Sequence, residues 1–121
     1  MIMVETDWKR NLMTVTYCGR VKPVEFEESM RDIEGAIDQM TTGFRLLTDL
    51  GGLESMDVAC APFIDKIMDQ INERGVSMVV RIVPDPKKDI GFRVMSYFHY
   101  DPDVEIITCE NMEEAERALR D

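Results

Sequence analysis

Histidine and cysteine are scarce in this sequence of 121 residues. The only histidine is His99, and the three cysteines, Cys18, Cys60 and Cys109, lie far apart with no Cys-x-x-Cys spacing. This set does not provide a Cys/His zinc site of the usual spacing, and an odd number of cysteines argues against a disulfide framework. We therefore expect no bound metal, and reduced thiols of the kind found in cytoplasmic proteins.

Long apolar runs are also absent, and acidic residues outnumber basic ones. No apolar run approaches the ~18 residues of a membrane-spanning helix, and the first residues carry acids where a signal peptide requires positive charge. The 24 Asp and Glu against 14 Lys and Arg leave a formal net charge of −10. A surface this negative repels nucleic-acid phosphates and anionic lipid headgroups. The sequence therefore predicts a cytoplasmic protein that binds neither nucleic acid nor membranes.

The motifs of several common enzyme classes are missing as well. The sequence contains no G-x-G-x-x-G, Walker or G-x-S-x-G motif. A response-regulator receiver needs a carboxylate pair after its first strand, where this sequence predicts a hairpin. A haloacid-dehalogenase-type phosphatase needs two aspartates one residue apart, but Asp49 is followed by Leu50 and Gly51. We therefore predict a binding protein, with no catalytic residues and no cofactor.

What the sequence does contain is an ordered series of strand and helix patterns. Alternating or compact apolar segments predict strands over residues 2–7, 12–19, 44–50, 76–83 and 104–108. Apolar stripes of helical period predict helices over residues 26–40, 58–74, 87–99 and 111–120. After the opening hairpin each helix joins successive strands. This order, β-β-α-β-α-β-α-β-α, predicts one α/β domain over residues 1–121, with a mixed, mostly parallel sheet covered by helices.

The segment between the third strand and the second helix carries the most informative motif. We expect Gly51–Asp57 to form a loop at the C-terminal edge of the sheet, where open α/β sheets bind ligands. Asp57 directly precedes the predicted helix, where an aspartate accepts hydrogen bonds from free backbone N–H groups. Two interpretations stay open for Asp57: a helix cap, or part of a recognition loop.

The stretch Leu47–Ala61 resembles the STAS domain, the fold of anti-sigma-factor antagonists and of the cytoplasmic ends of sulfate transporters. In STAS domains a strand ending in Asp-Leu-Ser leads to an apolar residue, an Asp and a serine-containing helix start. Here Asp49-Leu50 and Met56-Asp57 match this spacing. Residues 84–92 and 98–100 look more like the SpoIIAA-like branch that borders the family.

The resemblance implies a regulatory module that binds a protein partner, such as an anti-sigma-factor-like kinase or another regulator. In phospho-regulated members the helix opens with a serine that the kinase phosphorylates. Val58, Ala59 and Cys60 occupy those positions and offer no hydroxyl. We therefore expect binding without the serine phospho-switch. The residues expected to contact the partner are Asp49, Gly52, Ser55, Met56, Asp57, Ala59 and Lys87.

An alternative hypothesis is a carrier or sensor of a small apolar ligand. Its pocket would lie between the sheet and the helix predicted over 87–99, near Phe92, Met95 and Tyr97. An enzyme would require a reactive Cys60, which the apolar stripe of its helix argues against. The sequence leaves the oligomeric state open, with a homodimer as one alternative.

Two further features of the sequence have simple structural interpretations. The basic cluster formed by Arg81, Lys87, Lys88 and Arg93 is expected to be a solvated surface, although an anion site at a helix start is the alternative. His99 follows an apolar helix end and is expected to be a hydrogen-bonded histidine, because no nucleophile or second acid suggests a general base.

Overall fold

A computed structural model describes residues 1–85 and 99–120 of the chain. Its strands are β1 (Ile2–Asp7), β2 (Leu12–Val21), β3 (Arg45–Met56), β4 (Met78–Ile82) and β5 (Glu105–Cys109). Its helices are α1 (Pro23–Gln39), α2 (Ala61–Arg74) and α3 (Met112–Leu119), and a 3₁₀ turn over Val58–Cys60 precedes α2.

The strands form one sheet in the order β1-β2-β3-β4-β5. β1 pairs antiparallel with β2, and the other neighbouring pairs are parallel. This arrangement confirms the predicted mixed, mostly parallel α/β sheet with an N-terminal hairpin.

Apolar side chains cover the two faces of the sheet unequally. On the face that we call the major face, α1 and α2 bury a large cluster that includes Phe26, Phe44 and Ile71. On the opposite, minor face, α3 packs over a smaller cluster. Its buried members are Leu12, Leu47, Val80, Ile82, Cys109, Ala115 and Leu119. The alternation of side chains along each strand sends successive residues, such as Val79 and Val80, to different clusters.

The structure corrects the predicted loop Gly51–Asp57, because β3 continues through Met56. Beyond Asp49, the last β3 residue that pairs with β4, the strand keeps pairing with β2 as far as Val21. Gly51 and Gly52 therefore lie within a strand and not in a turn, and at Gly52 the missing side chain leaves room for a neighbouring residue. A Cβ atom at Gly52 would lie 3.1 Å from Sγ of Cys18.

β2 also extends beyond its predicted end at residue 19 and runs to Val21. Gly19 has a φ of +69°, which glycine adopts without steric cost, and a shift in the register with β3 occurs between Gly19 and Arg20. The glycine thus marks an irregularity within the strand and not its end.

Arg81 departs from the expected solvated basic cluster. It lies within β4 and is only 3% exposed, and its Nη2 donates a hydrogen bond to Oγ1 of Thr108 at 3.1 Å. Lys87, Lys88 and Arg93, and the helix predicted over 87–99 except His99, lie outside the described residues.

Candidate partner-binding surface

The C-terminal ends of β2 and β3 bring two helix starts side by side. Val21 pairs with Met56, and the next residues begin α1 and the 3₁₀ turn. At the first start the N–H of Lys22 donates to Oε2 of Glu25 at 2.8 Å. Below both starts the rings of Phe26 and Phe63 stack with their centroids 5.5 Å apart. Buried aromatic packing therefore fixes the position of this edge.

Asp57 joins the end of β3 to the 3₁₀ turn. Its N–H donates to the carbonyl oxygen of Val21 at 3.0 Å, and its Oδ1 accepts a hydrogen bond from the N–H of Ala59 at 2.9 Å. The predicted capping role is thus confirmed, for the 3₁₀ turn. Its side chain remains exposed, so capping leaves room for a second role in recognition.

Two apolar side chains project into solvent from these helix starts. Val58 is 90% exposed and Val24 is 52% exposed, while Met56 beside them is half-buried against the major-face cluster. Val58 is one of the three positions, 58–60, at which the resemblance places the phosphorylated serine. We name Val24, Met56, Asp57, Val58 and Ala59 the helix-start surface.

Sequence reasoning identified Met56, Asp57 and Ala59, but treated Val58 only as a missing serine and overlooked Val24. The sequence did contain a signal for Val58. It precedes the stripe formed by Cys60, Ile64, Ile67 and Ile71 and does not share its spacing, so it was free to point outward.

The remaining residues expected at the partner surface are spread along β3. Ser55 and Gly52 are exposed beside the helix-start surface. Asp49 lies eight residues before Asp57, which corresponds to at most ~26 Å along an extended strand. Its Oδ1 accepts a hydrogen bond from the N–H of Gly51 at 2.8 Å. The structure therefore does not bring Asp49 next to Asp57, and Lys87 lies outside the described residues.

Cys60 is buried directly beneath the helix-start surface. Burial, followed by the negative charges of Asp57 and Glu25, raises the pKa of its thiol above the ordinary value. Its Sγ lies 3.8 Å from the carbonyl oxygen of Val21. A buried thiol with a raised pKa is a poor nucleophile, which matches the interpretation of Cys60 as a core residue.

His99 is held by two aspartates on consecutive turns of α2. Its Nδ1 lies 2.6 Å from Oδ1 of Asp69, and its Nε2 lies 2.8 Å from Oδ1 of Asp65. Burial lowers the pKa of His99, but the hydrogen bonds and charges of Asp69 and Asp65 outweigh it, so the pKa is raised. With both ring nitrogens engaged, His99 has no free nitrogen with which to act as a general base.

A small cavity of about 30 Å³ lies between the sheet and α2. Its apolar lining includes Leu46 and Ile67, with Tyr17 and Tyr100 at its sides. Burial raises the pKa of both tyrosine hydroxyls. The volume is enough for one or two water molecules. The residues named for a larger apolar pocket, Phe92, Met95 and Tyr97, lie outside the described residues.

Two kinds of feature are absent from the described ranges, residues 1–85 and 99–120. No helix there has the length and apolar character needed to cross a bilayer. Within the same ranges, no three or more side chains of His, Cys, Asp or Glu are grouped so that they could hold a metal ion.

Solved structures share this architecture over nearly the whole chain. A DUF3478-family protein with a SpoIIAA-like fold, from Shewanella loihica PV-4, has a TM-score of 0.72 and 18% identity, covering 99% of this chain and 93% of its own. SpoIIAA, the Bacillus cell fate determinant, in its phosphorylated form, has a TM-score of 0.67 and 18% identity, covering 99% and 100%. An anti-sigma-factor antagonist from Mycobacterium paratuberculosis has a TM-score of 0.63 and 15% identity, covering 100% and 94%.

No protein-family model matches the sequence, and no curated protein matches it. The structural neighbours nevertheless confirm the resemblance noted in Leu47–Ala61 at the level of the fold. The chain has the SpoIIAA-like fold.

Proposed function

We propose that this chain is a non-catalytic regulatory module that captures a protein partner through the helix-start surface. The proposal draws on the fold, since SpoIIAA and the neighbour from Mycobacterium paratuberculosis are both anti-sigma-factor antagonists. A partner of this chain would then be an anti-sigma-factor-like kinase or another regulator.

The exposure of Val58 is the observation that carries the proposal. Val58 is 90% exposed and Val24, at the neighbouring helix start, is 52% exposed, and we call these two side chains the apolar patch. They lie on a chain with a net charge of −10. Apolar side chains surrounded by polar groups are typical of the centre of a protein interface. The carboxylate of Asp57 at the rim of the patch adds a charge that selects the partner and its orientation.

The side chains at this surface favour binding that does not depend on phosphorylation. Val58, Ala59 and Cys60 have no hydroxyl to accept a phosphoryl group, and the Cys60 thiol is buried. The exposed Ser55 precedes Asp57, outside the matching positions. We therefore expect the partner to bind the unphosphorylated chain, with an affinity set by the apolar patch.

Binding is favoured over catalysis by the state of the reactive groups. The Cys60 thiol is buried with a raised pKa, and both ring nitrogens of His99 are engaged by Asp65 and Asp69. Neither group offers the free nucleophile or base that a hydrolytic or transfer reaction requires.

An affinity experiment with matched variants tests the proposal. Wild-type chain, Val58→Lys and Met112→Lys are immobilised and exposed to a lysate of the source cells, and the retained proteins are identified by mass spectrometry. Met112 is a suitable control because it is an exposed apolar residue at the start of α3, on the minor face. We expect a protein that the wild type and Met112→Lys retain and that Val58→Lys loses.

The retained protein is then purified and titrated against the three chains by calorimetry. A central apolar contact contributes about 2 kcal/mol or more, so Val58→Lys is expected to weaken binding at least ~30-fold. Equal dissociation constants for Val58→Lys and the wild type would refute the helix-start surface as the binding site. Incubation with ATP and the partner provides a second measurement, in which phosphate incorporated into the chain that also changes the dissociation constant would refute phosphorylation-independent binding.

A further inference from the structure

β1 forms one edge of the sheet, and among the described residues its sole strand neighbour is β2. The N–H of Cys18 donates to the carbonyl oxygen of Met1 at 2.8 Å, which makes residues 1 and 18 a hydrogen-bonded pair. Along an antiparallel pair, residues bonded to the neighbouring strand alternate with residues whose N–H and C=O point away from it. Ile2, Val4 and Thr6 therefore direct their main-chain groups outward.

This edge lacks proline, lysine and a β-bulge, three of the features that prevent strand pairing, and its charged residues are Glu5 and Asp7. Exposed edge strands are commonly protected by proline, lysine or a β-bulge, because their free main-chain groups can bind another chain. The six residues of β1 contain no proline or lysine, and their register with β2 is unbroken. The outward side of β1 is thus a regular and open hydrogen-bonding edge.

Exposed apolar side chains are concentrated on the same hairpin. Among the described residues, Met1, Met3 and Trp8 make up half of the large apolar side chains exposed to solvent, and Trp8 is 76% exposed. Met3 projects from the minor face, where it pairs with Thr16. This part of the minor face is distant from α3, which packs against β4 and β5.

We infer that a second copy of this chain binds here, with the two β1 strands antiparallel about a twofold axis at Val4. In this register Val4 pairs with Val4 of the second copy, and Ile2 pairs with Thr6. About six main-chain hydrogen bonds result, since each hydrogen-bonded pair exchanges two. The second copy fits because a strand edge of this length is complementary to itself, as an isologous dimer requires.

The side chains on the minor face make this register testable. Met3 lies directly opposite Glu5 of the second copy, and the two Met3 side chains occupy diagonal positions ~7–8 Å apart, within reach of long side chains. A negative charge at residue 3 would therefore face a carboxylate across the axis, whereas a positive charge would pair with it. Met3 is 43% exposed, so the isolated chain tolerates either charge.

Size and charge together predict a weak dimer. A six-residue strand is ~20 Å long, so the paired edges bury less than the ~800 Å² per partner of a standard stable interface. Each copy has a net charge of −10 and brings Glu5 to the axis. Asp32 lies two helical turns before Gln39, which accepts a hydrogen bond from Thr6, so it also faces this edge. Salt screens these charges, and we expect the dimer to strengthen as salt increases.

Sedimentation equilibrium over a range of protein and salt concentrations tests the dimer. The wild type is expected to associate reversibly, and more strongly at high salt. Val4→Pro removes an outward N–H while the hydrogen bonds between β1 and β2 remain, so it is expected to be a folded monomer. Met3→Glu is expected to weaken the dimer about tenfold, because two like-charge pairs are created, and Met3→Lys to strengthen it.

The outcomes separate clearly. A wild type that stays monomeric at all concentrations and salt levels would overturn the inference, as would a dimer that Val4→Pro leaves intact. Equal dissociation constants for Met3→Glu and Met3→Lys would overturn the register. Circular dichroism checks folding, and if Val4→Pro fails to fold, the two Met3 variants decide. The helix-start surface lies elsewhere on the chain, so this experiment is independent of the proposed partner.

Discussion

Among the described residues, two helices, α1 and α2, cover the major face of the sheet, whereas α3 covers part of the minor face. Helix α1 has seventeen residues and α2 has fourteen, but α3 has only eight. The major face therefore contains large, fully buried side chains such as Phe26 and Phe44. The minor-face cluster is smaller, and Thr14 and Thr16 beyond it are only half-buried. The difference indicates that the major face supplies most of the stability and leaves part of the minor face accessible.

The largest expected effect comes from emptying the centre of the major face. Phe26 is fully buried, with its ring 5.9 Å from that of Tyr17 and 5.5 Å from that of Phe63. Phe26→Ala removes these contacts and leaves a cavity, so we expect the free energy of unfolding to fall by about 3–5 kcal/mol. Urea denaturation measures this value. Phe26→Leu is the control and is expected to lose less, and a loss below ~1 kcal/mol for Phe26→Ala would contradict the dominance of this face.

A smaller loss is expected when the minor face is truncated. Leu119 is buried at the end of α3 and packs in the minor-face cluster. Leu119→Ala is expected to lower the free energy of unfolding by about 2–3 kcal/mol, because a buried leucine loses its packing at the end of a short helix. The measurement uses the same denaturant series. A loss equal to or greater than that of Phe26→Ala would reverse the comparison of the two faces.

The start of α3 provides a more sensitive test of how firmly the minor face is covered. Oδ1 of Asn111 accepts a hydrogen bond from the N–H of Glu114 at 2.9 Å and so caps the helix. Asn111→Ala is expected to cost about 1 kcal/mol, whereas Asn111→Asp keeps the acceptor and retains stability. Hydrogen exchange is expected to show faster exchange confined to α3 in the alanine variant. Faster exchange spread equally over α1 and α2 would show that the two faces do not open separately.

The smallest effect concerns the attachment of His99 to α2 and depends on pH. The pKa of His99 is raised in the folded chain. The stabilisation of the folded chain by protonated His99 is therefore fully present below the unfolded pKa of ~6.5 and is lost as pH rises through the folded pKa. The aspartates are half exposed, which limits the contribution to a few tenths of a kcal/mol up to ~1.

Thermal unfolding of wild type and His99→Gln at a series of pH values measures this contribution. We expect the stability advantage of the wild type over His99→Gln to shrink as pH rises from ~6.5 through the raised pKa of the folded chain. An advantage that grows with pH would contradict the charged interaction with Asp65 and Asp69.

The sequence predicted those elements whose side-chain pattern repeats. The apolar stripe Phe26, Ile33 and Ile37 predicted α1, and the alternation from Met13 to Tyr17 predicted β2. Both predictions were possible because residues buried at a regular spacing are apolar at the same spacing in the sequence. The helix cap at Asp57 followed from residue type and position. The cap at Asp57 was therefore predictable from the sequence, whereas the role of the helix-start surface in partner binding stays a prediction.

Features created by contacts between distant residues could not be predicted in this way. Gly51 and Gly52 indicated a loop by composition, yet Gly52 lies in β3 because it pairs with Cys18 of β2. The burial of Arg81 depends on its position inside the sheet and on Thr108 in β5. The hydrogen bonds of His99 are made with Asp69 and Asp65, which lie 30 and 34 residues earlier in the chain.

The order of the sheet also has a consequence for how the chain folds. In the part of the chain that the structure describes, each strand is hydrogen-bonded only to strands that are adjacent to it in sequence, from β1 to β5. No gap in the sheet has to be kept open for a segment that arrives later, so the sheet can grow at one edge, beginning with the β1–β2 hairpin. Synthesis from the N-terminus therefore delivers the strands in the order in which they can dock.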